Sequence, residues 1–354
     1  MSKMTFTGPW RYRISGYATL MRLSITTAVR HLTGRRLDPS WGTVHEIGIR
    51  FWRDRFTRAM TMDISEGRRL FDAVQTRTGL EPQLARTPAG AGAPPGFWVT
   101  PAQVTSPATL LYFHGGGYAF DAWMTDDFAA LLAEATGARL FRLDYRLTPE
   151  HPDPAQRDDA LAAVRWMLEQ VPPERLVLVG DSAGGHMALR LLLDLREAGL
   201  GQPALCIGLC PWTDIGARGE SLYGNDRYDM VQGWMALQFG RWLDPEGLFG
   251  RAALSPVAQD FAGLAPIYLQ TGGREILHDM IRDFAEIQAG HGADVMLDVW
   301  PTMPHDFQLY DSLEVASTAA LERIARAVRW AAGEAADFGP GAMTARTAGR
   351  FFGA

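Results

Sequence analysis

Lysine is almost missing from this 354-residue sequence: the single one is Lys3, and every other of the 34 basic residues is an arginine. That excludes a phosphate loop ending in Gly-Lys, a pyridoxal Schiff base, a kinase lysine and a Ser-x-x-Lys acyl-enzyme site, each of which needs a lysine inside the fold. Cysteine is scarce too, with only Cys206 and Cys210. They lie four residues apart in an apolar run that reads as a strand, where same-face positions are about 13 Å apart, too far for a disulfide. Without further Cys or His at ligand spacing they do not make a structural zinc site, and nothing demands an oxidising compartment. Near the N-terminus the longest uncharged run, Ile14 to Met21, stops at Arg22, whereas a membrane span needs roughly 20 apolar residues. No clean apolar block with a small-residue cleavage site marks a secretory leader. The expectation is therefore a cytoplasmic protein without a stable membrane span. Positive charge is not in excess either: 34 basic residues against 40 acidic ones give −6, which argues against nucleic acid as a partner.

What is present is a chain 47% hydrophobic, long enough for a large core. Ile14, Tyr17, Met21, Ile25, Ala28 and Leu32 recur at helical spacing, so an amphipathic helix is expected there, with this face packed on the rest of the protein. An aromatic and arginine-rich stretch, Ile49 to Met60, continues the same N-terminal segment, taken as residues 1–75. Its arginines also fit a helix lying on a membrane surface. From about residue 80 short apolar runs alternate with helical ones, the signature of a mainly parallel sheet with crossover helices. Strands are expected at Thr109–Phe113, Arg139–Asp144, Leu176–Val179, Leu205–Leu209, Ile267–Gln270 and Val295–Val299. Helices are expected at Asp126–Ala135, Asp158–Glu169, Gly185–Glu197, Met280–Ala289 and Leu313–Ala331. This core spans 76–333. It is interrupted at about 214–246 by a polar and aromatic insertion, too long for a crossover, whose neighbours Trp212, Trp234 and Trp242 suit the roof of a pocket. The tail, 334–354, is rich in Gly, Ala and Thr and is expected to be loosely ordered.

Gly180-Asp181-Ser182-Ala183-Gly184 stands between an apolar strand and an apolar helix, which is the setting of a nucleophile elbow. Upstream, His114-Gly115-Gly116-Gly117 ends another strand, a combination that chance supplies only about 0.01 times in such a chain. An acyl-transfer oxyanion needs preorganised N–H donors, and consecutive glycines turn backbone N–H groups toward a substrate with no side chain in the way. Gly115 and Gly116 are the expected donors from this loop, and Ala183, the residue after the nucleophile, donates from the other side. His114 precedes the elbow and is expected to brace the loop rather than act as base. His305, in Trp300-Pro-Thr-Met-Pro-His-Asp-Phe just after the last strand, sits where a base belongs in the order serine, acid, histidine. For the acid, Glu275 and Asp279 both follow the fifth of these strands. Glu275 is nearer the strand end and favoured, while Asp279 also suits a helix cap.

His114-Gly-Gly-Gly, Asp144-Tyr-Arg-Leu-Thr-Pro-Glu150-His-Pro and Gly180-Asp-Ser-Ala-Gly-Gly185 together resemble the hormone-sensitive-lipase family of α/β-hydrolase esterases, the bacterial family IV carboxylesterases, over about residues 105–310. The resemblance implies an α/β-hydrolase fold, with a mostly parallel sheet flanked by helices on both faces. It also implies a cap built from the N-terminal segment and the insertion, and hydrolysis of short- to medium-chain esters through an acyl-enzyme with no metal or organic cofactor. The Asp144–Glu150 segment looks structural in the family, so Arg146 and Glu150 carry no catalytic role. The family usually has Asp followed by Pro-Leu-x-Asp where this chain has Glu275-Ile-Leu-His-Asp279. The small-molecule partner is an ester, with a specialised acetyl ester, a lactone or an amide as alternatives. A homodimer is compatible with the family. A receptor on the same fold, as in the plant gibberellin receptors that lost the catalytic histidine, is disfavoured because Ser182 and His305 are both present.

Overall fold

The computed structural model describes residues 4–75, 85–310, 315–336 and 338. Lys3, the chain around residue 80, Leu313 and most of the 334–354 tail lie outside the described residues. The N-terminal segment pairs a short ribbon, β1 (Thr5–Phe6) with β2 (Val74–Gln75), around α1 (Trp10–Leu32), α2 (Thr43–Met60) and α3 (Ile64–Asp72). The core follows as β3 (Ala85–Pro88), β4 (Gly96–Thr100), β5 (Thr109–Phe113), α4 (Trp123–Thr136), β6 (Arg139–Leu143), α5 (Ala155–Leu168), β7 (Leu176–Asp181), α6 (Ala183–Glu197) and β8 (Leu205–Leu209). Short helices α7 (Ser221–Gly224), α8 (Gly233–Leu243) and α9 (Gly250–Leu254) lead to β9 (Ile267–Gly272), α10 (His278–Gly290), β10 (Val295–Trp300) and α11 (Val315–Ala331).

The apolar runs from β5 to β10 form six parallel strands, and β4 and β3 close one edge antiparallel, giving the order β10-β9-β8-β7-β5-β6-β4-β3. Because β7 and β9 keep pairing beyond their apolar runs, they end at Asp181 and Gly272, two residues later than the sequence pattern suggests. One sheet face packs on α4 and α11 through Phe128, Leu132, Ile324 and Val328. The other packs on α5, α6 and α10 through Val164, Leu189, Ile281 and Phe284, in a cluster that continues into α2 and α3. In the tail, the Phe338 ring is buried 5.1 Å from that of Tyr268.

One expectation is reversed. The stripe Ile14, Tyr17, Met21, Ile25, Ala28 and Leu32 faces outward, and α1 docks by the opposite side, Tyr12, Gly16, Thr19, Leu23 and Thr27. The small and hydroxyl residues win the inner face because α2 carries cations that need acceptors there. Arg55 donates to Thr19 Oγ1 at 2.6 Å and Arg50 to Thr27 Oγ1 at 2.6 Å, and a buried guanidinium left without acceptors is far more costly than an exposed leucine or isoleucine.

Candidate active site

Every expected site residue stands at the carboxyl ends of the parallel strands. Ser182 is the single residue between β7 and α6, with φ 52° and ψ −116°, a left-handed conformation that strains any side chain and aims its hydroxyl out of the sheet. The tight turn requires its glycines, since a Cβ on Gly184 would run into the Phe113 carbonyl of the neighbouring strand. The loops after β9 and β10 touch main chain to main chain: a Cβ on Gly272 would strike the Met303 carbonyl. That contact brings Glu275 Oε2 to 2.7 Å from His305 Nδ1, while His305 Nε2 lies 2.9 Å from Ser182 Oγ. A carboxylate only accepts, so Nδ1 carries a proton, and in the neutral ring Nε2 is left to accept from the serine. The other Glu275 oxygen accepts from Thr271 Oγ1 at 2.5 Å and Gly272 N at 2.8 Å, so the buried carboxylate is held at both ends.

Asp279 is not brought to the imidazole. Its Oδ2 accepts from Ser221 N at 2.9 Å, and its own N–H donates to Ser221 Oγ at 3.0 Å, tying the first turn of α10 to α7. His114 is buried and stacked on Tyr145, 4.2 Å between centroids, with Nδ1 2.7 Å from the Gly115 carbonyl. Burial lowers its pKa to about 4 against the opposing pull of Asp121, so it is neutral. Arg146 forks onto Asp159 and Glu150 accepts from Arg68 of α3, both away from Ser182.

The Gly115 backbone packs against the Asp181 carboxylate, which a Cβ there would strike. Gly115, Gly116 and Gly117, the last two at φ 102° and 63°, make no hydrogen bond through N–H among the described residues, and Ala183 opens α6 with no carbonyl of that helix to receive its N–H. Asp181 accepts from Tyr112 at 2.6 Å, and burial pushes it up to about 6.

Two carboxyls escaped the sequence reading. Asp306, next to the histidine, is buried with φ 50°, its Oδ2 3.3 Å from His305 Nε2 and its Oδ1 without a hydrogen bond. Burial, with Asp181, Glu275 and Asp229 nearby, pushes it well above the carboxylate range. Burial lowers the His305 pKa, but the Asp306 and Glu275 carboxyls outweigh it and push it up to about 10. Asp229, from the insertion, is raised to about 6 by burial and accepts from Ile276 N at 2.7 Å, pinning the acid loop from above. Only the positive φ at Asp306, a position suited to glycine, hints at something unusual, and φ is invisible in a sequence. Cys210, His305 and Asp306 offer ligand atoms within 4.8 Å of one another. Burial holds the Cys210 thiol protonated and Nε2 is engaged by Ser182, so this trio is a poor metal site.

Above Ser182 opens a pocket of about 680 Å3, mouth included, walled by Phe56, Phe71, Phe120, Phe239, Trp212 and Met230. The roof aromatics are phenylalanines from α2, α3 and α8. Trp234 and Trp242 pack beside the core without reaching the pocket, so of the three tryptophans only Trp212 lines it.

A mostly parallel sheet with a serine at such an elbow defines an α/β-hydrolase, and residues 110–309 match the family described as alpha/beta hydrolase fold. The chain is 35% identical over 246 residues to an acetyl-hydrolase of Streptomyces hygroscopicus, covering 67% of this chain and 80% of that one. It is 32% identical over 222 residues to an ethyl acetate hydrolase of Pseudomonas putida, covering 58% and 68%. A solved esterase from the bacterial hormone-sensitive lipase family superposes with TM-score 0.71 at 30% identity, over 80% of this chain and 97% of its own. The chain belongs to the hormone-sensitive lipase family of bacterial α/β-hydrolases and is a carboxylic ester hydrolase acting on a small-molecule ester. Among the described residues no helix is long and apolar enough to cross a membrane.

Proposed function

We propose that this esterase cleaves short- to medium-chain carboxylic esters through an acyl-enzyme on Ser182. His305 removes the hydroxyl proton as Oγ attacks the ester carbonyl, and returns it to the departing alcohol; water activated by the same Nε2 then releases the acid. Glu275 keeps the proton on Nδ1 and stabilises the imidazolium. Gly115, Gly116 and Ala183 N–H groups receive the oxyanion, with Gly117, Asp181 and His114 holding that loop in shape. The hydrogen-bond chain from Ser182 through His305 to Glu275, 2.9 and 2.7 Å, at the floor of an apolar pocket carries this reading. Residues 1–75 and the 214–246 insertion act together as the cap, because Phe56, Phe71, Met230 and Phe239 wall that pocket. The likeness to an acetyl-hydrolase favours acetyl esters at the short end of the range. The free, buried Cys206 and Cys210 suit a cytoplasmic location.

The test is turnover of p-nitrophenyl esters from acetate to dodecanoate. S182A and H305A should lose about a thousandfold or more in kcat, E275Q at least about a hundredfold, and D279N less than about tenfold. Equal losses in D279N and E275Q would sink the assignment of the acid.

A further inference from the structure

We propose that the outer face of α1 is a docking surface for anionic lipid bilayers, on which the protein lies peripherally. The claim is independent of the triad and rests on an inverted helix. Trp10, Ile14, Met21, Ile25, Val29 and Leu32 are each between 53% and 87% exposed. With Tyr17, 53% exposed, between Ile14 and Met21, they recur at three- or four-residue steps and form one stripe along all 23 residues of the helix, about 34 Å long. The helix is anchored by the opposite side, where Thr19 and Thr27 are hydrogen-bonded to Arg55 and Arg50 of α2. An apolar stripe of that length turned away from the fold is the arrangement of an interfacial helix, whose apolar side enters the acyl boundary while flanking cations meet the headgroups.

Charge selects the occupant. The helix and the turn after it carry Arg11, Arg13, Arg22, Arg30, Arg35 and Arg36, and the sequence has no acidic residue before Asp38, in a chain whose net charge is −6. At 100° per residue, Arg11 and Arg22 fall on one flank of the stripe and Arg13 on the other. Arg11 and Arg22 pair with Glu66 and Asp54, but Arg13, Arg35 and Arg36 enter no ion pair among the described residues. A second copy of the chain joined through α1 would set this acid-free helix against itself, cation to cation, because a two-fold contact repeats the same patch on both sides. A negatively charged bilayer matches both the stripe and its rim.

The experiment is co-sedimentation of the full chain with vesicles of phosphatidylcholine alone or with about 30% phosphatidylglycerol, alongside its mass in solution by light scattering. Binding is expected to the anionic vesicles only and should be lost at about 0.5 M salt. The M21E/I25E double variant should reduce the bound fraction at least about tenfold and R13Q/R35Q by severalfold, with p-nitrophenyl acetate turnover unchanged in both. The proposal is overturned if wild type stays in the supernatant at low salt, or if M21E/I25E sediments as well as wild type. It is equally overturned by a dimer that M21E/I25E converts to monomer while neither form binds vesicles. Loss of triad activity in S182A leaves vesicle binding intact, which separates this claim from the catalytic one.

Discussion

At the residue scale, the unusual feature is Asp306, because its carboxyl and the Ser182 hydroxyl reach the same nitrogen, 3.3 and 2.9 Å from His305 Nε2. A general base must present an unprotonated Nε2, whereas a carboxylate beside it favours a proton there. The charged imidazolium is stabilised, the His305 pKa rises, and the fraction of enzyme able to accept the serine proton at neutral pH falls. Since Asp306 and His305 titrate as a pair, the pH profile of kcat/KM reports their joint protonation. Replacing the carboxyl by an amide of the same shape removes the charge and keeps the packing. The D306N variant should therefore move the ascending limb of the kcat/KM profile down by about one pH unit or more, with little change on the alkaline plateau. An unmoved limb would mean that Asp306 stays neutral throughout and does not tune the base.

At the element scale, the pocket is a joint between core and cap. Helix α8 seats Phe239 so close to the glycine loop that a Cβ on Gly117 would meet its ring, while α2 and α3 contribute Phe56 and Phe71. Chain-length preference is then set by how far these rings reach toward Ser182. F239A should raise the ratio of kcat/KM for dodecanoate to that for butyrate by about tenfold, with the melting temperature lowered by a few degrees; a fixed ratio would place the acyl chain elsewhere. These elements also show what was legible. The parallel strands could be read because buried strands are continuous apolar runs, and Ser182, His305 and Glu275 because each follows such a run. Strand β3 could not, since Ala85–Pro88 is exposed throughout and carries no alternation. The face of α1 was misread because amphipathicity fixes two sides of a helix but not which one its neighbour's arginines will claim. Asp229 gave no signal at all, since its role depends on the insertion folding back over Ile276.

At the scale of the whole molecule, buried titratable groups set stability and activity against each other. His45, His114 and His186 are buried and lowered to about 4, 4 and 3, mainly by desolvation. A depressed folded pKa means stability present above the unfolded value, about 6.5, and lost as pH falls below it. Asp181 and Asp229 are raised to about 6 by burial, and His305 to about 10 by its carboxyl neighbours. Raised groups act in the opposite sense: their contribution is present below the unfolded pKa and is lost as pH climbs through the folded one. The carboxyls therefore weaken the fold up to about pH 6, and His305 continues the decline from about 6.5 upward. Between about pH 4 and 6 the carboxyl loss runs against the histidine gain, and above about 6.5 His305 alone continues the decline, so the melting temperature should be highest near pH 6.5 and fall above it. Asp214, held at about 2 because Arg251 and Arg218 outweigh its burial, adds a further loss below about pH 4. Turnover has the opposite demand, since His305 acts only when neutral and kcat/KM should still be rising above about pH 8. Melting curves and initial rates measured on one set of buffers from pH 4 to 10 test this separation. Melting temperatures that plateau above about pH 7 would show that the fold does not hold His305 in its charged form. The D306N variant should narrow the gap by lowering the activity limb while leaving the acid side of the melting profile to the three neutral histidines.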